Sequence, residues 1–265
     1  RGFSPRTVEV YIHHMEELAR FYWKPLDTLV CAQVQQFLDH LIRVRKPSWS
    51  TTNVYFSAYR FLYEQVLKRS AREFSIPPRG RSGKRPGVLS REEVMRLIEV
   101  PRNLKHRALL SIAYGSGLRV SEVVQVQPVH VDRGRMMLKV TGKGHKDRYT
   151  VLASHTLKLL EEHWRASRPE TYFFFGSDKS APMSAATAQG VYYDAIERSG
   201  VRRVGGIHVL RHCFASHAIE DGHDLFAIKR WMGHSAISTT SGYMHVVPDS
   251  ARKVASPLDR LHLKV

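Results

Sequence analysis

Three amphipathic stretches follow one another in the first part of the chain. Ser4 and Pro5 form a helix start, with a hydroxyl at the N-cap and proline in the first turn. The second predicted helix spans Cys31–Val44, and the third begins at Ser50 and Thr51. Apolar residues recur every three or four positions, which predicts a small all-helical bundle. The predicted inward residues are Val8, Tyr11, Ile12, Met15, Leu18, Ala19 and Tyr22, then Val34, Phe37, Leu38 and Leu41, then Val54, Ala58, Phe61, Leu62 and Leu67.

Residues 77–87 interrupt this pattern, because proline and glycine recur too often for a continuous helix. We therefore expect a helical domain over residues 1–78, a basic linker over 79–88 and a second domain with a C-terminal tail over 89–265. A positively charged linker is suited to lie along a phosphate backbone, although a solvated spacer has a similar composition. The linker contains no acidic residue among its basic side chains, which are Arg79, Arg81, Lys84 and Arg85.

The second predicted domain mixes helices with one hairpin. Ser90 and Glu93 have the spacing of a capping box, which predicts a helix start. The segments Arg135–Val140 and Arg148–Leu152 are strand-like and flank a glycine-rich turn around Lys143. Helical patterns resume from Ser154, Ser184 and His208. The predicted fold class is therefore mainly α with a small antiparallel β-sheet, as a helical domain followed by a mixed α+β domain.

The charge balance of the chain indicates which class of partner it binds. The chain has 41 Lys and Arg against 24 Asp and Glu, a formal net charge of +17. Such an excess attracts polyanions, so nucleic acid is the first expectation, while an anionic membrane surface or a charge that serves solubility are alternatives. No apolar run approaches the ~18 residues of a membrane helix, and we expect a cytoplasmic protein without a membrane partner. Cys31 and Cys213 are far apart, which favours neither a zinc knuckle nor a disulfide framework.

Cutting DNA without a metal requires fixed cations for the phosphate, a nucleophile and a general acid for the leaving 5′ oxygen. Singly, an arginine, a turn lysine or a tyrosine of this chain has an ordinary structural interpretation as a surface or half-buried residue. Their order is the informative feature. The residues that supply this set follow one another as Arg119, Lys143, His208, Arg211, His234 and Tyr243.

This series resembles the Arg–Lys–His–Arg–His–Tyr signature of tyrosine recombinases, which include phage integrases, Xer-type resolvases and integron integrases. All six positions occur in order and in matching local contexts, and the resemblance extends over about residues 4 to 247. It implies a core-binding domain followed by a catalytic domain that cleaves and rejoins DNA through a covalent 3′-phosphotyrosyl intermediate. It implies no metal and no other cofactor.

The resemblance also implies a role for each residue. Arg119 and Arg211 would hold the scissile phosphate, His234 would donate a further hydrogen bond to it, and Glu122 would hold the site in place. Tyr243 would attack the phosphorus. The remaining two residues would handle protons: Lys143 would protonate the 5′ oxygen, and His208 would contact the phosphate and help remove the Tyr243 proton.

By the same resemblance, the partner is double-stranded DNA carrying recombination sites, bound by a homotetramer that holds two duplexes in the bacterial nucleoid. The tail after Pro248 would dock on a neighbouring protomer, unless it is only solvated chain, and an accessory directionality factor is a further expected partner.

Two other functions are alternatives to a recombinase: a monomeric enzyme like type IB topoisomerases and a non-catalytic DNA-binding regulator. The ending is similar to integron integrases, but the stretch between Thr156 and His208 leaves no room for their extra helical insertion.

Two local features add hypotheses. His208 and His212 are four apart, a spacing that binds zinc on some helices, but no HExxH pattern surrounds them and we expect His212 to be packed. Gly242 immediately precedes the predicted nucleophile, and glycine lowers helix stability by about 1 kcal/mol relative to alanine. The hypothesis is that Tyr243 lies on a mobile segment.

Overall fold

The computed structural model describes residues 2–78, 87–142 and 147–233. The chain divides into two compact units, Arg1–Arg85 and Pro86–Val265, and each has a hydrophobic core of its own. The predicted fold class is confirmed, because the described residues are mainly helical and include one small antiparallel sheet. Within these described ranges, no helix combines the length and the apolar character that crossing a membrane requires.

Three α-helices form within residues 2–78, the described part of the first unit. Helix α1 spans Pro5–Tyr22, and its start is the predicted one, because the Ser4 hydroxyl accepts the backbone N–H of Thr7 at 3.3 Å. A short 3-10 turn, Leu26–Thr28, leads to α2, Cys31–His40, which continues as a π-helical turn over Leu41–Arg45. Helix α3 spans Trp49–Phe61 and continues in the same way over Leu62–Val66.

The core of this unit differs from the predicted apolar stripe in two ways. Val8 and Ile12 were expected to face inward but are exposed, so the buried face of α1 is narrower than its apolar face. Three tyrosines of the third helical segment, Tyr55, Tyr59 and Tyr63, are buried instead. Each hydroxyl donates to an internal acceptor, namely the Glu17 carboxylate, the His14 carbonyl and the Leu29 carbonyl. A tyrosine can be buried when its hydroxyl finds such a partner.

The described residues of the second unit, 87–142 and 147–233, form seven α-helices and the sheet. The predicted capping box is confirmed, since the Glu93 N–H donates to the Ser90 hydroxyl and the Ser90 N–H donates to the Glu93 carboxylate. The two helices with the longest buried runs, α5 and α9, pack against each other at the centre. The helices are α4 Arg91–Glu99, α5 Leu104–Gly115, α6 Val120–Val123, α7 Ser154–Ser167, α8 Ala185–Ser199, α9 His208–Glu220 and α10 Leu225–Met232.

The sheet contains the predicted hairpin and one additional strand. Strand β1, Val131–Asp132, pairs with β2, Met137–Thr141, which pairs with β3, Asp147–Val151, and all pairs are antiparallel. The predicted start at Arg135 was too early, because that residue belongs to the β1–β2 turn, which ends at Met136 with a φ of 51°. Helix α10 packs against β3, and this contact brings the end of α10 to the sheet.

Candidate active site

The first part of the site is the short segment that leads into α6. Gly117 has a φ of +61°, and a Cβ built on it would lie 2.4 Å from Cδ1 of the Phe214 ring. Only glycine satisfies both the left-handed backbone and this close approach. Arg119 then caps α6: its backbone N–H and its Nη1 donate to the two oxygens of Glu122, at 2.8 and 2.9 Å. The Arg119 side chain remains 39% exposed, so the loop presents a guanidinium at the surface.

Glu122 is the central acceptor of the site. Its side chain is 6% exposed and is bound in a two-pronged ion pair by Arg148, from Nη1 at 2.9 Å and from Nη2 at 2.8 Å. Nη1 of Arg211 lies 3.7 Å from the same carboxylate. Burial raises the pKa of Glu122, but the hydrogen bonds from Arg148 and Arg119 outweigh it, and the pKa is lowered overall. One buried carboxylate therefore organises three guanidinium groups.

The first turn of α9 contributes the next two predicted residues. His208 begins the helix, and Arg211 follows three positions later on the same face. Arg211 is 5% exposed, and it donates from Nη1 to the Gly117 carbonyl at 2.7 Å and from Nη2 to the Met232 carbonyl at 2.6 Å. Arg211 thus links α9, the segment before α6 and the end of α10.

As a whole residue, His208 is exposed at the start of α9, although its ring is partly desolvated. Desolvation of the ring, followed by the positive charges of Arg211 and Arg119, lowers the pKa of His208, although the Glu122 carboxylate acts in the opposite direction. The imidazole is consequently neutral at neutral pH. A neutral imidazole has one nitrogen that can accept a proton.

The structure brings together Arg119, Glu122 and Arg211, and it places His208 within electrostatic reach of all three. The remaining predicted site residues lie outside the described residues, as does Gly242. They are Lys143, His234, Tyr243, Arg79, Arg81, Lys84 and Arg85. In the sequence, Gly142 directly precedes Lys143, and Gly233 directly precedes His234.

Sequence reasoning gave no role to Arg148, although it is the strongest partner of Glu122. The sequence feature that could have identified Arg148 is the alternation of side chains along β3. Arg148 alternates with exposed residues and shares a face with the buried Thr150. Its register partner on β2 is the buried Val140. A buried arginine on an inward-facing strand position requires a carboxylate partner, and Glu122 is that partner.

Around α9, the residues that the structure describes include no group of three histidines, cysteines or acids close enough to share an ion. His212 is half-buried, and its pKa is lowered by burial and then by the charges of His208 and Arg211. Of the residues that the structure describes, the histidines and acids near enough to share an ion are His13, His14 and Glu17 in the first unit.

The Glu17 carboxylate in that group already accepts Nη1 of Arg45 and the hydroxyl of Tyr55, both at 2.7 Å. The adjacent guanidinium of Arg45 would repel a cation. This group therefore has the character of an ion-pair network that stabilises the first unit.

Models of known protein families match the sequences of both units. The model of the phage integrase family matches residues 87–249, and the model of the phage integrase N-terminal SAM-like domain matches residues 1–73. The first of these two models alone spans more than half of the chain.

Individual proteins agree with the family models. The chain is 31% identical to the y4qK protein of Sinorhizobium fredii over 98% of this chain and 85% of that protein. It is 31% identical to the tyrosine recombinase XerA of Thermococcus kodakarensis, over 95% of this chain and 89% of XerA. Its fold is similar to the crystal structure of the XerH site-specific recombinase bound to a palindromic difH substrate, with a TM-score of 0.74 and 20% identity. That superposition covers 95% of this chain and 80% of XerH.

Proposed function

The chain belongs to the phage integrase family of tyrosine site-specific recombinases, which cut and rejoin DNA, and from this premise we propose a mechanism through Tyr243. Tyr243 attacks the scissile phosphorus, the bond to the 5′ oxygen breaks, and the strand is left on the enzyme as a 3′-phosphotyrosyl ester. A free 5′ hydroxyl then attacks this ester and restores the phosphodiester. The observation that carries the proposal is the assembly of Arg119, Arg211 and His208 around one buried carboxylate.

The two arginines stabilise charge on the phosphate. Negative charge on the non-bridging oxygens grows as the tyrosine attacks, and preorganised cations stabilise it most where water is excluded. Glu122 fixes the Arg119 side chain through Nη1, and the Gly117 and Met232 carbonyls fix Arg211. Fixing both guanidinium groups before DNA arrives lowers the reorganisation that binding requires. His234 adds a hydrogen bond to the same phosphate.

Proton transfers involve two further groups. A free tyrosine has a pKa of about 10, so the attacking hydroxyl needs both a base and nearby cations. The lowered pKa of His208 leaves a neutral imidazole that accepts the Tyr243 proton. Lys143, in the β2–β3 connection, donates a proton to the 5′ oxygen as it leaves. In the rejoining step, each group performs the reverse transfer.

The DNA is held by both units in this proposal. The helical unit and the basic linker contact the phosphate backbone around the site, with Arg79, Arg81, Lys84 and Arg85 along the linker. The net charge of +17 supports this binding mode. Four protomers assemble on two duplexes and exchange their C-terminal tails, and a directionality factor sets the outcome. The enzyme works in the bacterial cytoplasm, on nucleoid or mobile-element DNA.

A trapping experiment tests the proposal. A library of randomised duplexes with one nick is incubated with the protein, so that cleavage near the nick releases a short fragment and rejoining cannot occur. We expect a DNA–protein species that survives denaturation, with sites that sequencing identifies. Tyr243→Phe retains the ring and removes the nucleophilic hydroxyl, and it should form no such species while still retarding the same duplexes. Absence of the adduct with the unaltered protein on the DNA that it binds would refute the proposal.

The same duplexes distinguish the alternatives. A complex of four protomers on two duplexes supports recombination. A single protomer that only relaxes supercoiled DNA would indicate topoisomerase chemistry, and binding without any adduct would indicate a regulator.

A further inference from the structure

Arg148 connects two parts of the second unit that are distant in sequence. Its Nε donates to the carbonyl of Trp231 near the end of α10 at 2.8 Å, while Nη1 and Nη2 bind Glu122. The side chain is 11% exposed, so all three nitrogens serve acceptors of the protein. Arg148 is therefore placed to act through other groups and not to touch DNA itself.

Arg148 stabilises the C-terminal end of α10. The last carbonyls of a helix have no partner within the helix, and a positive charge at that end is favourable. Two consecutive carbonyls of α10 are bound by buried arginines: Trp231 by Arg148, and Met232 by Arg211. The C-terminal end of α10 is thus attached to two of the three guanidinium groups that Glu122 organises.

The next residue shows how closely the chain approaches Arg148. Gly233 has a φ of +64°, and a Cβ built on it would lie 2.9 Å from Cδ and 3.0 Å from Nε of Arg148. A side chain at this position would therefore both strain the backbone and displace Arg148. In the sequence, Gly233 is followed directly by His234, and Tyr243 lies ten positions after Gly233. The position of Gly233 therefore determines where the segment with His234 and Tyr243 begins.

We propose that Arg148 is a positioning residue of the recombination site. It fixes the end of α10, and hence the start of the segment that carries His234 and Tyr243, relative to Arg119, Glu122 and Arg211. The inference rests on the proposed function for the importance of this segment, and on the Glu122–Arg148–Trp231 contacts for the attachment itself. Lysine cannot replace Arg148, because a single ammonium nitrogen does not reach the two carboxylate oxygens and the Trp231 carbonyl together.

Two variants and one control test the inference. Arg148→Lys keeps the charge but cannot bind both Glu122 oxygens and the Trp231 carbonyl together. Gly233→Ala leaves Arg148 in place and adds a Cβ that would displace its side chain. Arg135→Lys makes the same chemical change in the exposed β1–β2 turn, where the arginine side chain is 82% exposed. Thermal unfolding of each variant first establishes that it is folded.

Hydrogen exchange of the free protein gives the first measurement. In Arg148→Lys, a peptide covering the end of α10, Lys229–Gly233, should exchange at least about fivefold faster, because local opening no longer breaks the bond to Arg148. Arg135→Lys should leave this rate unchanged. The same rate in Arg148→Lys and in the unaltered protein would overturn the inference, and it would do so even if the chain formed no DNA adduct.

Strand cleavage gives the second measurement, on the nicked duplex that the unaltered protein traps. Arg148→Lys and Gly233→Ala should bind it within about threefold of the unaltered protein but cleave it at least about tenfold more slowly, the scale of one charge-assisted hydrogen bond. A 5′ thiolate leaves without a proton, so a substrate with sulfur in place of the bridging 5′ oxygen relieves only a defect in leaving-group protonation. The loss should therefore persist on this substrate if Arg148 acts by positioning. Recovery on the sulfur substrate, or normal cleavage on both substrates, would contradict a positioning role. Failure of the unaltered protein to form an adduct would refute the proposed function, and the exchange measurement would then decide the inference alone.

Discussion

Arg211 and Gly117 are joined by a 2.7 Å hydrogen bond from the Nη1 of the arginine to the glycine carbonyl. The bond connects α9 to the segment that presents Arg119, so the two arginines assigned to the scissile phosphate have a fixed relationship before DNA binds. This relationship is the part of the proposed mechanism that the described residues support most directly.

Removing the Arg211 guanidinium should abolish most of the cleavage activity. Arg211→Ala removes one preorganised cation and also releases the end of α10, and we expect cleavage to slow by about 10²–10³-fold, the scale of losing one oxyanion donor. Single-turnover cleavage of a trapped duplex measures the change. Arg202→Ala is the control, because that exposed arginine lies six positions before α9. Near-normal cleavage by Arg211→Ala would remove this residue from the mechanism.

Alanine should have opposite effects at two glycines. At Gly117 the added Cβ would overlap the Phe214 ring and force a left-handed φ on alanine, and we expect a loss of about 1–3 kcal/mol in the free energy of unfolding. At Gly190, inside α8, a Cβ meets nothing within 4 Å. Gly190→Ala should therefore stabilise the protein by about 0.5–1 kcal/mol. Thermal or urea unfolding measures both, and equal effects at the two positions would contradict the assignment of strain to Gly117.

Loss of the Glu122 charge should destabilise the second unit. Glu122→Gln keeps the shape but leaves the buried Arg148 without a carboxylate, and breaking a buried ion pair costs about 3–5 kcal/mol. The matched control is Glu161→Gln, whose carboxylate pairs with Arg165 and Arg133 nearer the surface and should contribute less than about 1 kcal/mol. Urea unfolding compares the two variants. A loss in Glu122→Gln no larger than in the control would show that the shared carboxylate does not stabilise the unit.

The stability of the second unit should fall in mild acid. The His217 Nε2 lies 3.1 Å from the Leu89 carbonyl, which can only accept, so the ring donates there and accepts the Tyr114 hydroxyl at Nδ1. Burial and then the charge of Arg91 lower the pKa of His217, while Glu220, the Leu89 carbonyl and Asp221 act in the opposite direction.

Because the folded pKa of His217 lies below the unfolded value of about 6.5, the unfolded chain takes up the proton more readily. The stabilisation is complete above that pH and is lost as the pH falls through the lower folded value. Unfolding measured between pH 7 and pH 5 should show this loss, and His217→Gln should make the fall in stability smaller without removing it, because burial also lowers the pKa of other histidines of this unit, such as His163. A profile that His217→Gln does not change would contradict the assignment.

Lys143 has a role that a change of leaving group can isolate. If it protonates the 5′ oxygen, Lys143→Ala should slow cleavage of ordinary DNA by about 10²-fold or more, the scale of general acid catalysis. A substrate with sulfur in place of that oxygen should be cleaved by Lys143→Ala nearly as fast as by the unaltered protein. Lys139→Ala, in the neighbouring β2 strand, should be normal on both substrates. Equal losses of Lys143→Ala on oxygen and sulfur would exclude the acid role.

Local rules predicted the parts of the fold whose signals are contained in one segment. The Ser4 helix start, the Ser90–Glu93 capping box and the hairpin around residue 143 each depend on a few neighbouring residues. Positions that depend on distant partners were missed. Tyr59 is buried because its hydroxyl reaches the His14 carbonyl, 45 positions away, and no periodicity in α3 contains that information.

The same distinction holds for the site. Arg119 and Arg211 were identified from the order of residues in a family signature, and the structure places both on Glu122. Arg148 has no place in that signature, and its importance appears only when β3, α6 and the end of α10 are seen together. The roles of Lys143, His234 and Tyr243 stay predictions, because these residues lie outside the described ranges.

The chemical identity of the trapped bond tests the central claim most directly. The covalent species formed on a nicked duplex is digested with nuclease and protease, and mass spectrometry locates the modified peptide. The mechanism predicts a nucleotide joined through its 3′ phosphate to Tyr243, together with a free 5′ hydroxyl on the released strand that accepts a labelled phosphate directly. A nucleotide on another residue, or a 5′ phosphate on the released strand, would contradict it.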